Sequence, residues 1–386
     1  MTKPQFKGHV VVYADAAGVG GAEISAGHLV SSASARITVV GLYPEVVAAI
    51  AHQGRPKANA AWRAERTEQT TDSIVLSEGP LAFLQHWQTF RRLKPDVIHL
   101  NLCTPWAGAT ALAAALCTPA QVVRVDQLPL RTTDLATLLR TRFLSLRVDA
   151  HVAVGRGAAR LMEDFYALGR GSVISIPNGV PDRSPQAVPP AAELSGPLRV
   201  GSVGRLDPMK GHDVLLQSIA LVPHAKLTIL GEGDWRSHLE QMARSLGIED
   251  RVAFPGWVNP QDYLPQFDVV VQPSRSEGFP LAIAEAMLAA RPVIATRVGS
   301  VAEAVADGET GLLIEKNDAV GLAVALRRLQ EPGLAAQMGQ RGRAMAATAY
   351  TANVMAASYE ALWQRLCDRP VSPGAAPRLW VGRPRD

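Results

Sequence analysis

Leu198-Arg199-Val200-Gly201-Ser202-Val203-Gly204-Arg205-Leu206-Asp207-Pro208-Met209-Lys210-Gly211-His212-Asp213 is the stretch from which the fold is read. It opens with a short apolar run of strand length, Gly204 ends that run, and a loop holding Arg205 and Lys210 leads into a helix. The same strand, loop and helix order recurs along the chain. Strands are read near 9–13, 37–41, 96–100, 121–125, 150–154 and 172–176. A second series follows near 198–203, 225–230, 251–254, 268–272, 292–295 and 311–314, with helices from 318 to about 367. Short Val/Ile/Leu runs alternating with amphipathic segments favour parallel sheets covered by helices on both faces. The expected class is α/β, as two doubly wound Rossmann-like domains.

A chain of 386 residues with 47% hydrophobic content is large enough for two cores of ordinary size. Ile176-Pro177-Asn178-Gly179-Val180-Pro181 breaks the alternation, and the Pro/Ala-rich stretch up to Pro197 reads as a linker. The domains are therefore expected at 1–180 and 181–350. The tail 368–386 is rich in proline and arginine without apolar periodicity, so it reads as disordered.

A second informative stretch is Ser276-Glu277-Gly278-Phe279-Pro280-Leu281-Ala282-Ile283-Ala284-Glu285-Ala286-Met287. Pro280 favours a helix that begins at about Leu281, which puts Glu277 before the helix and Glu285 in its second turn. Both carboxylates can then face one cleft at different depths. A turn entering a helix also points free N–H groups and the positive dipole end at a ligand, which suits a phosphate. Arg205 and Lys210 are close enough in sequence to converge on one diphosphate, Arg as a planar fork and Lys as a compact charge. Gly204 and Gly211 let the backbone approach. Any one of these charges alone reads as a solvated surface group; in combination they read as a sugar-phosphate clamp.

The first half has its own loop, Gly18-Val19-Gly20-Gly21-Ala22-Glu23, after the strand His9-Val10-Val11-Val12-Tyr13. Gly20 and Gly21 would let an acceptor or phosphate reach the backbone. The spacing is not Gly-x-Gly-x-x-Gly, and no acidic residue ends a second strand at the required distance, which argues against a nicotinamide cofactor. His99, in Val97-Ile98-His99-Leu100-Asn101, and Asp126, in Val122-Val123-Arg124-Val125-Asp126-Gln127, stand near strand ends. The carboxyl ends of parallel strands face the ligand crevice, so both are catalytic candidates. For His99 the competing reading is a satisfied core histidine.

Together the motifs resemble the retaining nucleotide-sugar glycosyltransferases of family 4, whose fold is the two-domain GT-B arrangement. The resemblance runs through Val203 to Asp213, Leu230-Gly231-Glu232-Gly233-Asp234, Phe254-Pro255-Gly256-Trp257-Val258, Asp268 to Ser274, the glutamate pair, Pro292 to Thr296 and Asp307 to Leu313. Gly20-Gly21-Ala22-Glu23 belongs to it as well. It implies two Rossmann-like domains facing across a cleft, with a last helix, 351–367, crossing back to the first domain. It implies that Arg205 and Lys210 hold the donor diphosphate, Glu277 binds sugar hydroxyls and Glu285 binds the ribose. Backbone N–H groups of Gly278, Phe279 and Leu281 around Pro280 would contact sugar and phosphate, and Gly256 and Trp257 would border the base, uracil or guanine. The leaving phosphate would take the acceptor proton, so the nucleotide sugar is a substrate and no cofactor is needed. The chain departs from the family at Asp126, where a histidine is frequent, at Ala290, where glycine is usual, and at Gly299-Ser300-Val301-Ala302-Glu303.

Other chemistries find less support. No Asp-x-Asp or His-Glu-x-x-His occurs and the histidines lack ligand spacing, so the expectation is metal-independent transfer. Net charge of +4 and 5% aromatic content give no case for nucleic acid. Cys103, Cys117 and Cys367 are read as reduced thiols. The run around Ala107 to Cys117 is too short to span a bilayer, and Tyr13 and Asp15 interrupt any signal-like N-terminal core. The expectation is a cytoplasmic protein with at most peripheral membrane contact. Arg131, Arg140, Arg142 and Arg147 accompany Leu135, Leu138, Leu139, Phe143 and Leu146 on an expected helix; the resemblance implies docking on an anionic bilayer, as in relatives that glycosylate lipids, and the favoured reading is a solvated helix packed on the sheet. The expected partners are a UDP- or GDP-sugar donor and a small-molecule, lipid or glycan acceptor. The alternatives are a sugar-nucleotide epimerase or phosphorylase of the same architecture, or a non-catalytic sugar-nucleotide-binding protein.

Overall fold

The computed structural model describes residues 6–52, 71–183, 186–190 and 196–368; the expected disordered tail and part of the expected linker lie outside the described residues. The strands are β1 (His9–Ala14), β2 (Arg36–Gly41), β3 (Asp72–Val75), β4 (Val97–Leu102), β5 (Gln121–Asp126), β6 (Ala150–Ala153) and β7 (Val173–Ser175). After them come β8 (Leu198–Val203), β9 (Ala225–Leu230), β10 (Val252–Gly256), β11 (Val269–Gln272), β12 (Val293–Thr296) and β13 (Gly311–Ile314). The helices that alternate with the first series are α1 (Gly21–Ser32), α2 (Pro44–Ala51), α3 (Ala82–Leu93), α4 (Ala109–Leu116), α5 (Leu135–Ser145) and α6 (Arg156–Tyr166). The rest are α7 (His212–Ala220), α8 (Arg236–Ser245), α9 (Leu281–Leu288), α10 (Val301–Ala304), α11 (Ala319–Arg328), α12 (Leu334–Ala349) and α13 (Ala352–Cys367).

Two separate parallel sheets result, in the orders β3-β2-β1-β4-β5-β6-β7 and β10-β9-β8-β11-β12-β13. Strands such as Val10-Val11-Val12 and Val269-Val270-Val271 are wholly buried because helices cover both faces, which is why they are continuous apolar runs and not alternating ones. The sequence reading contains no strand at β3. This outermost strand has mostly exposed residues, Asp72, Ser73 and Val75 among them, so no buried run announces it. It is held by register with β2, Thr38 opposite Asp72.

In each sheet the strand order reverses once, between β1 and β4 in the first and between β8 and β11 in the second. Loops leaving neighbouring strands part at such a point and open a crevice at their carboxyl ends. The chain returns to the first sheet at its end. Met355, Ala356, Tyr359, Leu362, Trp363 and Leu366 of α13 share a core with Val10, Val12 and Leu29. A bridge between Val180 and Thr351 ties together the two crossing segments.

The two units touch along a glycine-lined seam. Gly155 and Gly157 precede and open α6, where an added Cβ would overlap Ser300 or the Gly299 carbonyl. Ser300 Oγ accepts the Ala158 N–H at 3.1 Å, and the Glu303 carboxylate accepts the N–H groups of Arg156 and Gly157. A side chain of the second unit thus caps a helix of the first, satisfying N–H groups that have no partner within the helix.

Ala290 follows α9 with φ of 56°, in the left-handed region. Its N–H bonds the Met287 carbonyl and that of Arg291 bonds Ala286, the paired closure that favours glycine at this place. Ala290→Gly is therefore expected to stabilise the fold by about 1 kcal/mol, since left-handed backbone costs an L-residue roughly that much. A raised urea midpoint with unchanged slope is the outcome that checks it.

Candidate active site

The loop after β8 keeps its shape through Asp207. One carboxylate oxygen accepts the N–H groups of Met209 and Lys210 at 2.9 and 3.2 Å, and the other takes Arg205 Nε at 2.5 Å. Gly211, with φ of 69°, passes so close to the Pro273 carbonyl that a Cβ would stand 2.1 Å from its oxygen. Arg275, from the loop after β11, braces the same loop: its N–H bonds the Met209 carbonyl at 2.7 Å and its guanidinium pairs with Asp213 at 2.7 Å. Arg205 remains 64% exposed, so its fork is free to meet a ligand.

The loop after β11 supplies the facing acid. Glu277 is nearly buried, and its Oε1 accepts Lys210 Nζ at 2.6 Å, Ser274 Oγ at 2.7 Å and Gln272 Nε2 at 3.0 Å. A carboxylate at that depth needs a cation and strong donors, and here it has both. All three donors meet Oε1, which leaves Oε2 as an available acceptor. Pro280 is extended and α9 begins at Leu281, so Glu285 falls in its second turn, buried. Ala, Leu, Met and Glu are strong helix formers, which suits this short buried helix.

The first unit closes the site. A Cβ on Gly278 would lie 1.9 Å from the Gln127 carbonyl oxygen, and one on Gly299 1.8 Å from that of Glu277. The backbone at Glu277-Gly278 is thus held between the end of β5 and the loop after β12. A ladder of amides crosses the same gap. Asn101 Nδ2 donates to the Ala22 carbonyl at 3.1 Å, and Gln127 Nε2 donates to Asn101 Oδ1 at 2.7 Å. Asn178 Nδ2 then donates to Gln127 Oε1 at 3.0 Å and to the Phe279 carbonyl at 3.3 Å.

At the head of α1, Glu23 Oε2 accepts the Gly20 N–H at 2.8 Å, while Oε1 is buried without a hydrogen-bond partner. Burial, above all, raises the Glu23 carboxyl from its ordinary range, with the Arg205 charge acting against the rise. Asp15 is raised by burial too, against the N–H that Gly108 donates at 2.6 Å. Burial raises the Cys103 thiol, with Glu23 and Asp15 adding to the rise and Arg205 and Lys210 opposing it. The loops after β1 and β4 therefore sit within the field of the cations that follow β8.

The structure brings together Arg205, Lys210, Glu277 and the Gly204, Gly278, Phe279, Pro280 and Leu281 backbone, with Glu285 just behind and the Gly20-Gly21 loop opposite. Phe279 contributes backbone only, as its ring packs on Tyr350 at 5.0 Å. Gly256, with φ of 86°, and half-buried Trp257 lie at the end of β10, further along the same carboxyl edge.

His99 and Asp126 are not brought to the crevice. His99 lies in mid-strand, opposite Val12 on one side and Val123 on the other, with its ring edge-on to Tyr359 at 4.9 Å and Trp363 at 5.8 Å. Asp126 is buried with Arg124, whose Nε stands 3.2 Å away, and accepts the Tyr166 hydroxyl at 2.9 Å. It serves a buried ion pair inside the first unit. The strand-end rule selects the right strands and the wrong residues. Asn101 lies two positions beyond His99, nearer the edge. Gln127 lies one position beyond Asp126, on the opposite side of the strand by the alternation of side chains. Along with Asn178, in the turn before the expected linker, they are the polar groups that sequence reading missed; the signal was their place at or just beyond the carboxyl ends of β4, β5 and β7.

Comparisons with known proteins agree with this geometry. Residues 197–331 match the family model described as Glycosyl transferases group 1. The lipopolysaccharide core biosynthesis glycosyltransferase LpsE of Rhizobium meliloti is 31% identical over 185 residues, 47% of this chain and 51% of that protein. The D-inositol 3-phosphate glycosyltransferase of Acidothermus cellulolyticus is 37% identical over 153 residues, 35% of this chain and 34% of that one. The chain thus spans about half the length, or less, of these curated relatives. Across nearly the whole fold, Anabaena HepE in complex with UDP superposes with a TM-score of 0.77 at 18% identity, covering 93% of this chain and 100% of that one. Sucrose-phosphate synthase from Thermosynechococcus elongatus gives 0.75 at 21% identity, over 93% and 99%. The fold is GT-B, two Rossmann-like units of parallel strands and alternating helices.

Burial pushes the pKa of His99 down to about 3, and those of His151 and His212 to about 4, from an ordinary 6.5. Folded-state values below the unfolded value mean that only the unfolded chain takes up these protons as pH falls below 6.5, so stability is lost on acidification. His99→Leu should flatten the loss between pH 6.5 and 4 by about 1.4 kcal/mol per pH unit, one proton's linkage. Urea unfolding across that range reads it; an unchanged slope would mean that His99 is protonated in the folded state.

Proposed function

We propose that the chain is a retaining glycosyltransferase that moves a sugar from a nucleotide diphosphate sugar to an acceptor hydroxyl without a metal ion. The observation that carries this reading is the Lys210–Glu277 pair, 2.6 Å apart at the point where the second sheet reverses its order. A cation and a carboxylate held together there match a ligand with an anionic diphosphate and a hydroxylated sugar side by side. Arg205, Lys210 and the first-turn N–H groups of α9 would take the diphosphate. Glu277, through Oε2, and the Gly278-Phe279 backbone would hold the sugar, and Glu285 the ribose. In the step itself the bond from the anomeric carbon to the phosphate oxygen breaks while one to the acceptor oxygen forms on the same face. The acceptor proton passes to the departing phosphate oxygen, so no protein base is required. Catalysis then rests on positioning and on positive charge around the leaving diphosphate.

A UDP-sugar is the first donor to test, because UDP and UDP-glucose are the ligands in the HepE structures that share the fold. The second unit would take the donor and the loops of the first the acceptor. An epimerase would convert donor with no acceptor present, and a non-catalytic binder would release no product. Product analysis with and without acceptor separates the three.

Arg205→Ala is the sharper test, because an exposed side chain is lost and folding should be unaffected. Turnover is expected to fall roughly 10²–10³-fold, the scale of losing one preorganised charge contact to a departing group, with Tm unchanged. Lys210→Ala should lose both turnover and stability, since it strips the cation from a buried carboxylate. Full activity in Arg205→Ala, or activity that EDTA abolishes and magnesium restores, would overturn the reading.

A further inference from the structure

The loops that follow β1, β2, β3 and β4, residues 15–20, 42–43, 76–81 and 103–108, hold Asp15 and Glu78 and not one lysine or arginine. The helices that two of them lead into add Glu23 and Glu45 in their first turns. These strands are neighbours, in the order β3-β2-β1-β4, so the loops form one continuous wall at the carboxyl edge of the first sheet. Like charges brought together without a cation between them cost free energy, and such arrangements collect where a ligand of opposite charge relieves them.

The carboxylates of this wall lack the partners that the chain gives to others. Asp126, Glu163, Asp268 and Glu277 are buried, and each meets an arginine or lysine, at 3.2, 3.5, 2.7 and 2.6 Å. Among the described residues Asp15, Glu23 and Glu78 form no ion pair. Their donors are neutral: the Gly108 N–H at 2.6 Å, the Gly20 N–H at 2.8 Å and the Tyr43 hydroxyl at 2.7 Å. Glu23 is 2% exposed, and its Oε1 has no partner at all. A carboxylate oxygen withdrawn that far from water with nothing bound to it is an incomplete contact. Glu23 and Asp15 act on the Cys103 thiol together with Arg205 and Lys210 of the second unit, so the two acids face the crevice. Neither cation completes the contact, because Arg205 Nε is held by Asp207 and Lys210 Nζ by Glu277. His86, whose field reaches Asp15, has its ring nitrogens committed to the Ala82 carbonyl and the Tyr13 hydroxyl, and burial lowers its pKa. No cluster of ligating side chains among the described residues suits a metal ion, so the complement of the wall is an organic cation.

We propose that this wall binds the protonated amine of an acceptor, an amino sugar or an amino cyclitol, with Asp15 and Glu23 receiving the ammonium N–H groups and Glu78 adding charge at the mouth. The inference rests on the transferase reading for the role of acceptor, and on the charges of the wall for the acceptor's class. An ammonium offers several donors and no acceptor, which suits carboxylates that surround it. The donor diphosphate, held by the second unit, then has cations on both sides, the arginine and lysine behind it and the amine before it. An acceptor bearing phosphate or carboxylate meets repulsion at the same wall and is turned away.

Streptamine, scyllo-inositol and scyllo-inositol monophosphate share one cyclitol ring and carry ammonium groups, no charge and a phosphate, respectively. Calorimetric titration of the full chain with each, with and without UDP, reads the preference. Streptamine should bind roughly tenfold more tightly than scyllo-inositol, the monophosphate more weakly than either, and added salt should narrow the gap. Asp15→Asn keeps an oxygen for the Gly108 N–H; it should weaken streptamine roughly tenfold and leave scyllo-inositol unchanged. Glu78→Gln, at an exposed position, should weaken streptamine roughly twofold to fivefold and decides the matter even if Asp15→Asn fails to fold. No binding of streptamine, equal affinity for the three compounds, or a streptamine affinity that both variants leave untouched would overturn the proposal. Failure of the transferase reading shows separately, as no sugar product from any donor and acceptor while the amine preference in binding persists.

Discussion

The site depends on one buried carboxylate. Glu277 is drawn out of water with Lys210, Ser274 and Gln272 all converging on a single oxygen. An ion withdrawn to that depth is tolerated only where its partners are fixed, so everything that holds those partners becomes part of the site. Asp207 shapes the loop that presents Lys210. Thr296, from β12, donates its hydroxyl to the Ser274 carbonyl at 2.5 Å and fixes the residue that donates to Glu277. Groups from the loop after β8 and from β11 therefore meet at one oxygen atom with β12 bracing them from behind, and the contact stands at the reversal of strand order, where loops from β8 and β11 diverge.

The second constraint is closeness. Gly278 has no room for a side chain because the Gln127 carbonyl of the first unit occupies that space, and Gly299 has none because the Glu277 carbonyl does. Glycine at 278 lets the two units approach to backbone contact, and glycine at 299 lets the loop after β12 close on the Glu277 backbone within the second unit. Glu303 adds a charge to the same seam, its carboxylate standing at the positive end of α6. The Tyr350 hydroxyl donates to the Glu303 carbonyl at 3.0 Å, linking the seam to the segment that leads into α13. These backbone and polar contacts stand beside an apolar core that the two units share, in which Val154, Ala158, Met162 and Phe165 of the first join Phe279, Leu281 and Val301 of the second.

Much of this was legible in the sequence, for reasons that differ from residue to residue. The fold class followed from apolar runs at strand length, because parallel strands buried on both faces leave an unbroken signal. Strand β3 left none, being short, exposed and half polar. Lys210 and Glu277 could be read because their motifs combine glycine, proline and charge at fixed spacing. What escaped was pairing at a distance: nothing in Val125-Asp126-Gln127 says that Asp126 turns inward to Arg124 while Gln127 joins Asn101 and Asn178. A strand pattern gives alternation, but which face meets the crevice is set by the neighbours packed against it, here Tyr166 on one side and the Gly278 backbone on the other. Ala290 shows the opposite case, where a departure visible in sequence corresponds to a physical cost, a left-handed backbone held by an alanine.

Charge is divided unequally between the walls of the crevice. The cations Arg205 and Lys210 and the positive end of α9 all belong to the second unit. The first unit presents Asp15 and Glu23, both raised by burial, and a Glu23 oxygen without a hydrogen-bond partner. A diphosphate placed against those acids would meet like charge in a medium of low polarity, whereas against the second wall it meets two cations and a helix terminus. A neutral hydroxyl has the opposite preference, because it can donate to a buried carboxylate and gains nothing from an arginine that a phosphate would not gain more strongly. The asymmetry of the walls is thus the electrostatic ground for proposing that the anionic end of the donor lies on the second unit, with the hydroxyl that receives the sugar approaching from the first.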